Sequence, residues 1–369
     1  MTLTSRLTLF AAALLATLAA DAATIELRLA DAPSEGTLIV QVYDAPDAFG
    51  DLRDPAKEYV LSAAGEGPYR LNDVPNGDVA ILAYYDVNAN GRIDKNFIGI
   101  PKEPLAISNN YQPKGPPSFV RASVNLAPGS EVTLNMGMDR VLGERGLVGL
   151  GIGMIGRGSP YVDSTENVTR VIPAVTYVGE RLQWFGPALR YGIAGSGKLR
   201  LAAAAEYRIG AYEESDSPVL AGLGDREGLL MAGLSLQYEI SEGFELEALY
   251  QHDALDRVGG GMGNIRLSRG FPLGPATLVP QVAYNWLSSD LSNHDFGVAA
   301  AAATTDRPAY DLGNTTSIEA GLGLFVELGD NWRIIANIAA EQLDDDVTRS
   351  PIVDDDVVVK GLAIITYVF

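Results

Sequence analysis

Several segments between residues 199 and 340 alternate apolar with polar or small side chains at a period of two. The pattern runs through Leu199–Ile209, Leu230–Ile240, Ile318–Leu328 and Trp332–Ala340. Period two is typical of a β-strand with two different faces. Each segment is about ten residues long, which is the length of a strand that crosses a bilayer and exceeds that of most soluble sandwich strands. The pattern therefore predicts membrane-spanning strands. Aromatic residues at strand ends fit the same interpretation, as in the set Tyr207, Tyr238, Trp286 and Trp332.

The connections between these segments fall into a short class and a long class. The short ones are Gly179-Glu180, Gly195–Lys198, Ser241–Gly243, Leu273–Pro275 and Gly329–Asn331; the long ones are Gly156–Asn167, Ala211–Asp225, Ser288–Thr315 and Asp344–Asp356. We count about twelve strands, which start near residues 146, 170, 180, 187, 198, 226, 244, 259, 276, 316, 332 and 357. The third and fourth strands share a minimal turn at Gly186-Pro187. With this count all tight turns lie on one side, as in outer-membrane barrels with short periplasmic turns.

The first 140 residues have a different organisation. Residues 1–23 read as a secretory signal, with Arg6 before an apolar run, Leu7–Ala20, that is too short to span a bilayer. Short strand-like runs separated by turn residues then predict a periplasmic β-sandwich over 24–140: Thr24–Leu29, Thr37–Tyr43, Val79–Tyr85 and Val132–Met136. The predicted fold class is all-β, with this sandwich followed by a transmembrane antiparallel barrel over 141–369.

Composition removes several classes of function. The chain has no cysteine, two histidines and a formal charge of −20. Thiolate chemistry is therefore excluded, and nucleic acid is not an expected partner because phosphate binding needs clustered cations. His252 beside Asp253 is the one starting point for a barrel hydrolase, and no serine is close to it in sequence. We predict that the protein is not an enzyme.

One loop carries a metal-binding pattern. Asp86, Asn88, Asn90 and Asp94 occupy positions 1, 3, 5 and 9 of a calcium loop, Gly91 occupies position 6, and the carbonyl of Arg92 would complete a partial shell. Alternating oxygen ligands around a glycine suit Ca²⁺. Position 12 is Phe97 in place of the usual glutamate, so the alternative is an Asx-rich turn after a strand. Ca²⁺ is the one cofactor that the sequence suggests.

Strand alternation places charged residues inside the barrel. The set comprises Arg200, Glu206, Arg208, Glu239, Glu245, Glu247, Arg266, Glu319, Arg333 and Glu341. These charges form either the constriction of a solute pore or a packed lumen linked by ion pairs, since twelve strands leave limited space. The acidic runs Asp344–Asp346 and Asp354–Asp356 are expected at loop ends, where divalent cations would bridge them to lipopolysaccharide phosphates.

Ordered short motifs in the second half resemble the MltA-interacting protein family (MipA/OmpV) of outer-membrane proteins. They are Gly158...Pro160-Tyr161, Ile172–Tyr177, Leu220–Leu223, Phe296–Val298, Ser350–Val353 and the terminal Tyr367-Val368-Phe369. Phe296 departs from the aromatic pair usual there. The resemblance covers about residues 146–369 and implies an outer-membrane barrel without catalytic residues. Some members of this family are scaffolds for murein synthases and hydrolases, so the resemblance implies that role as well.

The first half resembles an uncharacterised family of exported domains. The carrying motifs are Tyr84–Asp94, Phe97–Pro104, Ser108–Asn110 and Gly115–Phe119. Together the two resemblances predict a structural or scaffold protein of the cell envelope, in contact with outer-membrane lipid and lipopolysaccharide and with murein-remodelling enzymes as partners. The alternative function is a small-solute channel.

Overall fold

A computed structural model describes residues 22–61, 65–96, 99–143, 145–164, 168–195, 198–240 and 243–369. The predicted signal sequence, residues 1–23, lies outside these ranges except for its last two residues. Within the described ranges, no helix is long and apolar enough to cross a membrane.

The N-terminal half contains two β-sheets. Its strands are β1 (Ala23–Ala30), β2 (Thr37–Tyr43), β3 (Lys57–Leu61), β4 (Tyr69–Val74), β5 (Gly77–Asp86), β6 (Leu105–Ile107), β7 (Val124–Leu126) and β8 (Glu131–Gly137). One sheet has the order β4-β1-β8, with β1 and β8 parallel, and the other has the order β3-β2-β5-β6, with β7 also paired to β5. The four predicted strands are therefore present, and the short strands β3, β4, β6 and β7 add to them.

Two apolar layers hold these sheets. Between them lie side chains such as Ile25, Leu27, Val40 and Ile81, all fully buried. The other face of the second sheet packs against two short helices, α1 (Pro46–Asp51) and α2 (Phe119–Ala122). This second layer explains why β5 is buried on both faces from Val79 to Asp86. The sheet β4-β1-β8 is the outermost layer on the opposite side.

The second half forms a closed antiparallel barrel. Its strands are β9 (Leu147–Arg157), β10 (Val168–Val178), β11 (Leu182–Phe185), β12 (Ala188–Ala194), β13 (Leu199–Arg208), β14 (Leu229–Glu239), β15 (Phe244–Asp253), β16 (Gly261–Arg269), β17 (Phe271–Leu273), β18 (Ala276–Leu287), β19 (Thr315–Leu328), β20 (Trp332–Leu343) and β21 (Val357–Val368). β16 and β17 both pair with β18 and act as one barrel strand, which gives twelve. The predicted all-β barrel of about twelve strands is confirmed. Two further short helices, α3 (Ser289–Phe296) and α4 (Asp345–Thr348), lie in its long loops.

The barrel faces follow the predicted alternation. Leu234, Leu236 and Tyr238 on β14 are exposed outward, whereas Ser235 and Gln237 between them are buried. An outer surface of large apolar side chains is what contact with lipid requires. Glycines allow close strand approach inside: a Cβ at Gly151 would lie 1.8 Å from the Ile365 carbonyl oxygen of the neighbouring strand.

The hairpin β11–β12 reaches only part of the barrel height. β10 pairs with β9 at eleven positions, but with β11 only at Thr176, Tyr177 and Val178. The chain then reverses at Gly186-Pro187, as the sequence predicted, and Gly186 has the positive φ of 56° that favours glycine at such a turn. The wall between β10 and β13 is consequently shorter than elsewhere.

The last strand, β21, closes the barrel against the first one, β9, and Phe369 takes part in this contact. β21 pairs with β9 from Lys360 to Val368, and the Phe369 N–H donates to the Val148 carbonyl at 3.0 Å. The Phe369 ring also packs edge-on against Tyr367. Deleting Phe369 should lower the amount of barrel assembled in the outer membrane several-fold, measured by heat-modifiable migration on gels. The matched control is Val357→Thr at the exposed start of the same strand, and equal loss in both variants would contradict a specific role for the terminus.

Candidate functional sites at the two ends of the barrel

The long loops form a compact cap over one end of the barrel, here called the long-loop cap. Its apolar core joins residues from four connections, including Tyr161, Tyr212, Phe296, Val347 and Ile352, all nearly fully buried. Tyr161 packs edge-on against Tyr212 with ring centroids 4.8 Å apart. A shared core of this kind holds the loops in one arrangement rather than as separate mobile segments. The cap therefore covers this opening of the barrel.

A buried ion pair ties the cap to the barrel wall. Asp295 at the end of α3 is fully buried and accepts hydrogen bonds from the Arg208 guanidinium on β13. His294 Nδ1 lies 3.0 Å from the same carboxylate. Burial alone would raise the pKa of Asp295, but Arg208 and the hydrogen bond with His294 hold it well below the ordinary aspartate range. The carboxylate is thus ionised at neutral pH and fixes α3 inside the barrel opening.

The opposite end carries the tight turns and is covered by the N-terminal half. Gly50 packs against Pro272, and Gly243 lies against Asp51. Ser118 Oγ donates to the Gly274 carbonyl at 2.8 Å. Further contacts join Asn96 to Gly179 and Arg121 to Gly329. The contacts reach four of the five predicted tight turns, so the N-terminal half spans the rim of the barrel.

Glu327 is the centre of this contact. It faces inward near the end of β19 and is 5% exposed. Its carboxylate accepts hydrogen bonds from the Tyr111 hydroxyl at 2.5 Å and the Lys114 N–H at 2.8 Å, and it pairs with Arg121 at 3.2 Å. Burial and the nearby Glu327 charge raise the pKa of Tyr111, so its hydroxyl stays protonated and donates.

The loop that reaches Glu327 also enters the barrel mouth. The Lys114 carbonyl accepts from the Arg333 guanidinium at 2.7 Å, and Gly115 lies so close to the Phe325 ring that a Cβ there would overlap it at 2.1 Å. Both Arg333 and Phe325 face inward. We call the segment Tyr111–Phe119 the mouth loop. The mouth loop contains Pro113, Pro116 and Pro117, and it fills the tight-turn opening.

The predicted lumen charges are mostly inside the barrel and form ion pairs. Arg200 pairs with Glu245, Glu247 with Arg190 and Arg266, and Lys360 with Glu319 and Glu341. Arg333 contacts the mouth loop, Arg208 binds Asp295, and Glu239 is exposed at the end of β14. Arg190, Lys360 and Asp295 were missed by sequence reasoning. Strand parity would have identified the first two, whereas Asp295 lies on a loop whose position no alternation pattern shows.

A cavity of about 410 Å³ remains between the cap and the middle of the barrel. Its lining combines charged, amide and apolar side chains, including Arg157, Arg190, Glu206, Arg208, Asn264, Arg266, Trp286, Asp295, Phe296, Glu319, Asn337, Glu341 and Lys360. This volume is within the range of small-ligand cavities. The lumen is therefore linked by ion pairs and still contains a chamber.

The predicted calcium loop forms a network of internal hydrogen bonds. Asp86 is buried and accepts from the N–H groups of Asn90 and Gly91, while the side-chain amides of Asn88 and Asn90 donate to Asp94. Arg92 contributes its N–H to Asn90 Oδ1. Within the described ranges, no three acidic or histidine side chains converge as a metal site would need. Ca²⁺ binds oxygen atoms, so the amides of Asn88 and Asn90 would have to rotate to present their oxygens on the side of Asp94. Calcium binding by this loop stays a prediction.

Adding Ca²⁺ should raise the melting temperature of the full-length protein if this loop binds the ion. A site without its twelfth-position ligand should have a Kd on the order of 10⁻⁴ M or weaker. Tenfold excess over Kd would then stabilise the folded state by about 1.4 kcal/mol. Asp86→Asn should abolish the shift, whereas Asp78→Asn at the other end of β5 should keep it. Identical melting temperatures with chelator and with millimolar Ca²⁺ would contradict calcium binding, and the loop would then be an Asx-rich turn.

His252 and Asp253 do not form a catalytic pair. His252 points outward, opposite Ala232 and Gly261 on the neighbouring strands. Asp253 points inward and accepts hydrogen bonds from the N–H groups of Leu255 and Val258. Consecutive residues of a strand face opposite sides, so the two side chains are separated by the barrel wall.

Comparison with protein families matches both halves of the chain. A family model described as MltA-interacting protein MipA matches residues 150–369, and one described as an uncharacterised protein conserved in bacteria (DUF2141) matches residues 32–134. Both resemblances predicted from sequence motifs are thereby confirmed.

Individual relatives are outer-membrane and MltA-interacting proteins. "Outer membrane protein OmpV" of Vibrio cholerae is 31% identical over 144 residues, which cover 39% of this chain and 56% of that protein. The chain thus spans about half the length of this relative. "MltA-interacting protein" of Escherichia coli is 26% identical over 62% of this chain and 92% of its own. Among solved structures, a loop-deletion mutant of Vibrio cholerae OmpT covers 90% of this chain and 96% of its own, with 10% identity and a TM-score of 0.26.

Proposed function

Because this chain belongs to the MltA-interacting protein (MipA) family and lies in the outer membrane, we propose that it is a non-enzymatic anchor whose periplasmic N-terminal domain is a docking scaffold for murein-remodelling enzymes. One observation carries the proposal: the chain occupies both openings of its own barrel. The long-loop cap covers one end, and the mouth loop fills the other. A barrel closed in this way is suited to holding a domain at the membrane surface.

The contacts at the rim give the N-terminal domain a fixed orientation. Because α1, α2 and the mouth loop face the barrel, the sheet β4-β1-β8 faces away from it. This outer sheet carries exposed charges, among them Arg28 and Arg70, whose side chains are 57% and 60% exposed. We infer that this face docks the partner enzyme, since exposed charges steer association and set its orientation.

The alternative of a small-solute channel rests on the 410 Å³ cavity and its charged lining. Solute passage would require both the cap and the mouth loop to move. The cap is held by the buried ion pair Arg208–Asp295, and the mouth loop by the partly buried ion pair Arg121–Glu327. These contacts favour the anchor over the channel.

The scaffold proposal is tested by measuring the affinity of the full-length protein, in detergent, for a purified lytic transglycosylase. We expect binding, and we expect the double variant R28E/R70E to weaken it at least about tenfold, since two charges at an interface contribute about 1.4 kcal/mol or more. R257E is the matched control because Arg257 is equally exposed but lies at the long-loop end. Absence of binding to murein hydrolases and synthases, or equal loss in the control, would overturn the proposal.

A further inference from the structure

The barrel wall has an opening above the Gly186-Pro187 turn. On the side away from β9, the described residues provide no strand partner for β10 between Val168 and Ala174. The facing strand β13 is bonded to the hairpin only as far as the Tyr207 N–H, which donates to the Pro187 carbonyl. In the described part of the chain, the places of two strands between β10 and β13 are therefore empty at this height. With strands about 4.8 Å apart, the gap between the two backbones is about 14 Å.

This side window has an apolar margin in the half of the wall nearest the long loops. Val171 on β10 is 68% exposed. Pro173, the following residue on the same strand face, has no N–H to pair. An exposed ion pair between Arg170 and Glu213, 3.5 Å apart, crosses the gap at its upper edge. Unpaired backbone is costly in lipid, so a strand edge left open at membrane depth calls for a compensating ligand or for water.

The window adjoins the lumen cavity. Pro187, Tyr207 and Ile209 belong both to the window margin and to the cavity lining. Phe296 and Val347 of the cap form the roof of the cavity. Because the mouth loop fills the far end of the barrel, the window is the direct route between the cavity and the surrounding membrane.

Two opposite charges in the cavity form no close ion pair with the described residues. The other charged lining residues pair with acids or cations of the lumen and cap, whereas Arg157 and Glu206 form no ion pair within 4.0 Å among the described residues. The Arg157 Nε atom is also buried without a hydrogen-bond partner. A guanidinium without a close carboxylate suits a phosphate, and a carboxylate without a close cation suits an ammonium group.

We propose that the cavity binds the headgroup of a zwitterionic phospholipid of the phosphatidylethanolamine class, with its acyl chains leaving through the side window into the membrane. Arg157 binds the phosphate and Glu206 binds the ammonium group. The volume of about 410 Å³ holds a headgroup with its glycerol but not the long acyl chains as well, which makes the window necessary.

The test is native mass spectrometry of the full-length protein in non-ionic detergent, titrated with phosphatidylethanolamine, with anionic phosphatidylglycerol and with tail-less O-phosphoethanolamine. We expect phosphatidylethanolamine to bind at least about tenfold more tightly than either other probe, because each lacks one recognised part. R157A should weaken its binding at least about tenfold, and Arg157→Lys should restore part of it.

A second variant keeps the proposal testable even if R157A folds poorly. Glu206→Gln should weaken phosphatidylethanolamine binding and leave phosphatidylglycerol binding unchanged, and R257A in an exposed loop should change neither. Heat-modifiable migration verifies that each variant is folded. Equal affinity for phosphatidylethanolamine and phosphatidylglycerol, unchanged by Glu206→Gln, would overturn the headgroup assignment. Equal affinity for O-phosphoethanolamine would show a soluble-phosphate site and overturn the role of the window.

Discussion

Replacing Asp295 by asparagine should release the long-loop cap from the barrel. Breaking a buried ion pair by removing one partner costs about 3–5 kcal/mol, because the remaining Arg208 charge stays buried without its counterion. Hydrogen exchange of the amides from Ser292 to Val298, measured by mass spectrometry, should therefore accelerate by about two to three and a half orders of magnitude in D295N.

The control is Glu227→Gln, because Glu227 pairs with Arg257 at 3.4 Å on the exposed surface near the cap. Surface pairs contribute about 0–1 kcal/mol, so this change should leave the exchange rates within about fivefold. The pH dependence gives a second check. Because the folded-state pKa of Asp295 is lowered, its stabilisation is complete above the unfolded value of about 3.9 and is lost only below it. The difference between wild type and D295N should therefore not shrink from about pH 8 to 5, because a charged His294 beside the Asp295 carboxylate can only add to it. A difference that already shrinks near pH 6 would contradict the ion pair.

Replacing Glu327 by alanine should release the mouth loop at the other end. The change removes the acceptor for the Tyr111 hydroxyl and the Lys114 N–H and leaves Arg121 without its buried partner. We expect a cost of about 3 kcal/mol or more, because each donor left unpaired costs about 1–3 kcal/mol, whereas the partly exposed Arg121 keeps Asp330. Lys114-Gly115 is a trypsin site inside the loop, so cleavage there should be at least about a hundredfold faster in E327A, as cleavage follows the population of the open state.

Asp330→Asn is the matched control, since Asp330 binds the same Arg121 but its side chain is 86% exposed. Its loss should change cleavage by less than about fivefold. Equal cleavage of E327A and wild type would show that the loop is held by other contacts. Equal acceleration in both variants would assign the effect to Arg121 alone rather than to the buried carboxylate.

The barrel was predictable because its signal is local. Alternation over ten residues, as in Leu230–Ile240, sets the strand and its outward face at once, and the tight turns then fix the direction of each strand. Glycine and proline marked the turn at Gly186-Pro187. Its consequence, an open edge on β10, depends on which residues of β10 and β11 pair. A single sequence does not contain that register.

The N-terminal sheets and the two closed ends were harder to predict for different reasons. β3 has no fully buried position and β4 has an irregular burial pattern, so these two short strands resemble turns and edges in sequence. The Tyr111–Glu327 hydrogen bond joins residues 216 positions apart, and no periodicity relates them. The long-loop cap draws its core from separate loops, where side-chain direction follows no fixed period.

The chain closes its own barrel at both ends. Single-channel conductance of the purified full-length protein in a planar lipid bilayer tests this closure most directly. The closed barrel predicts a silent bilayer, with no stepwise current at moderate voltage. Discrete, long-lived current steps from the wild-type protein would contradict the claim and establish the channel instead.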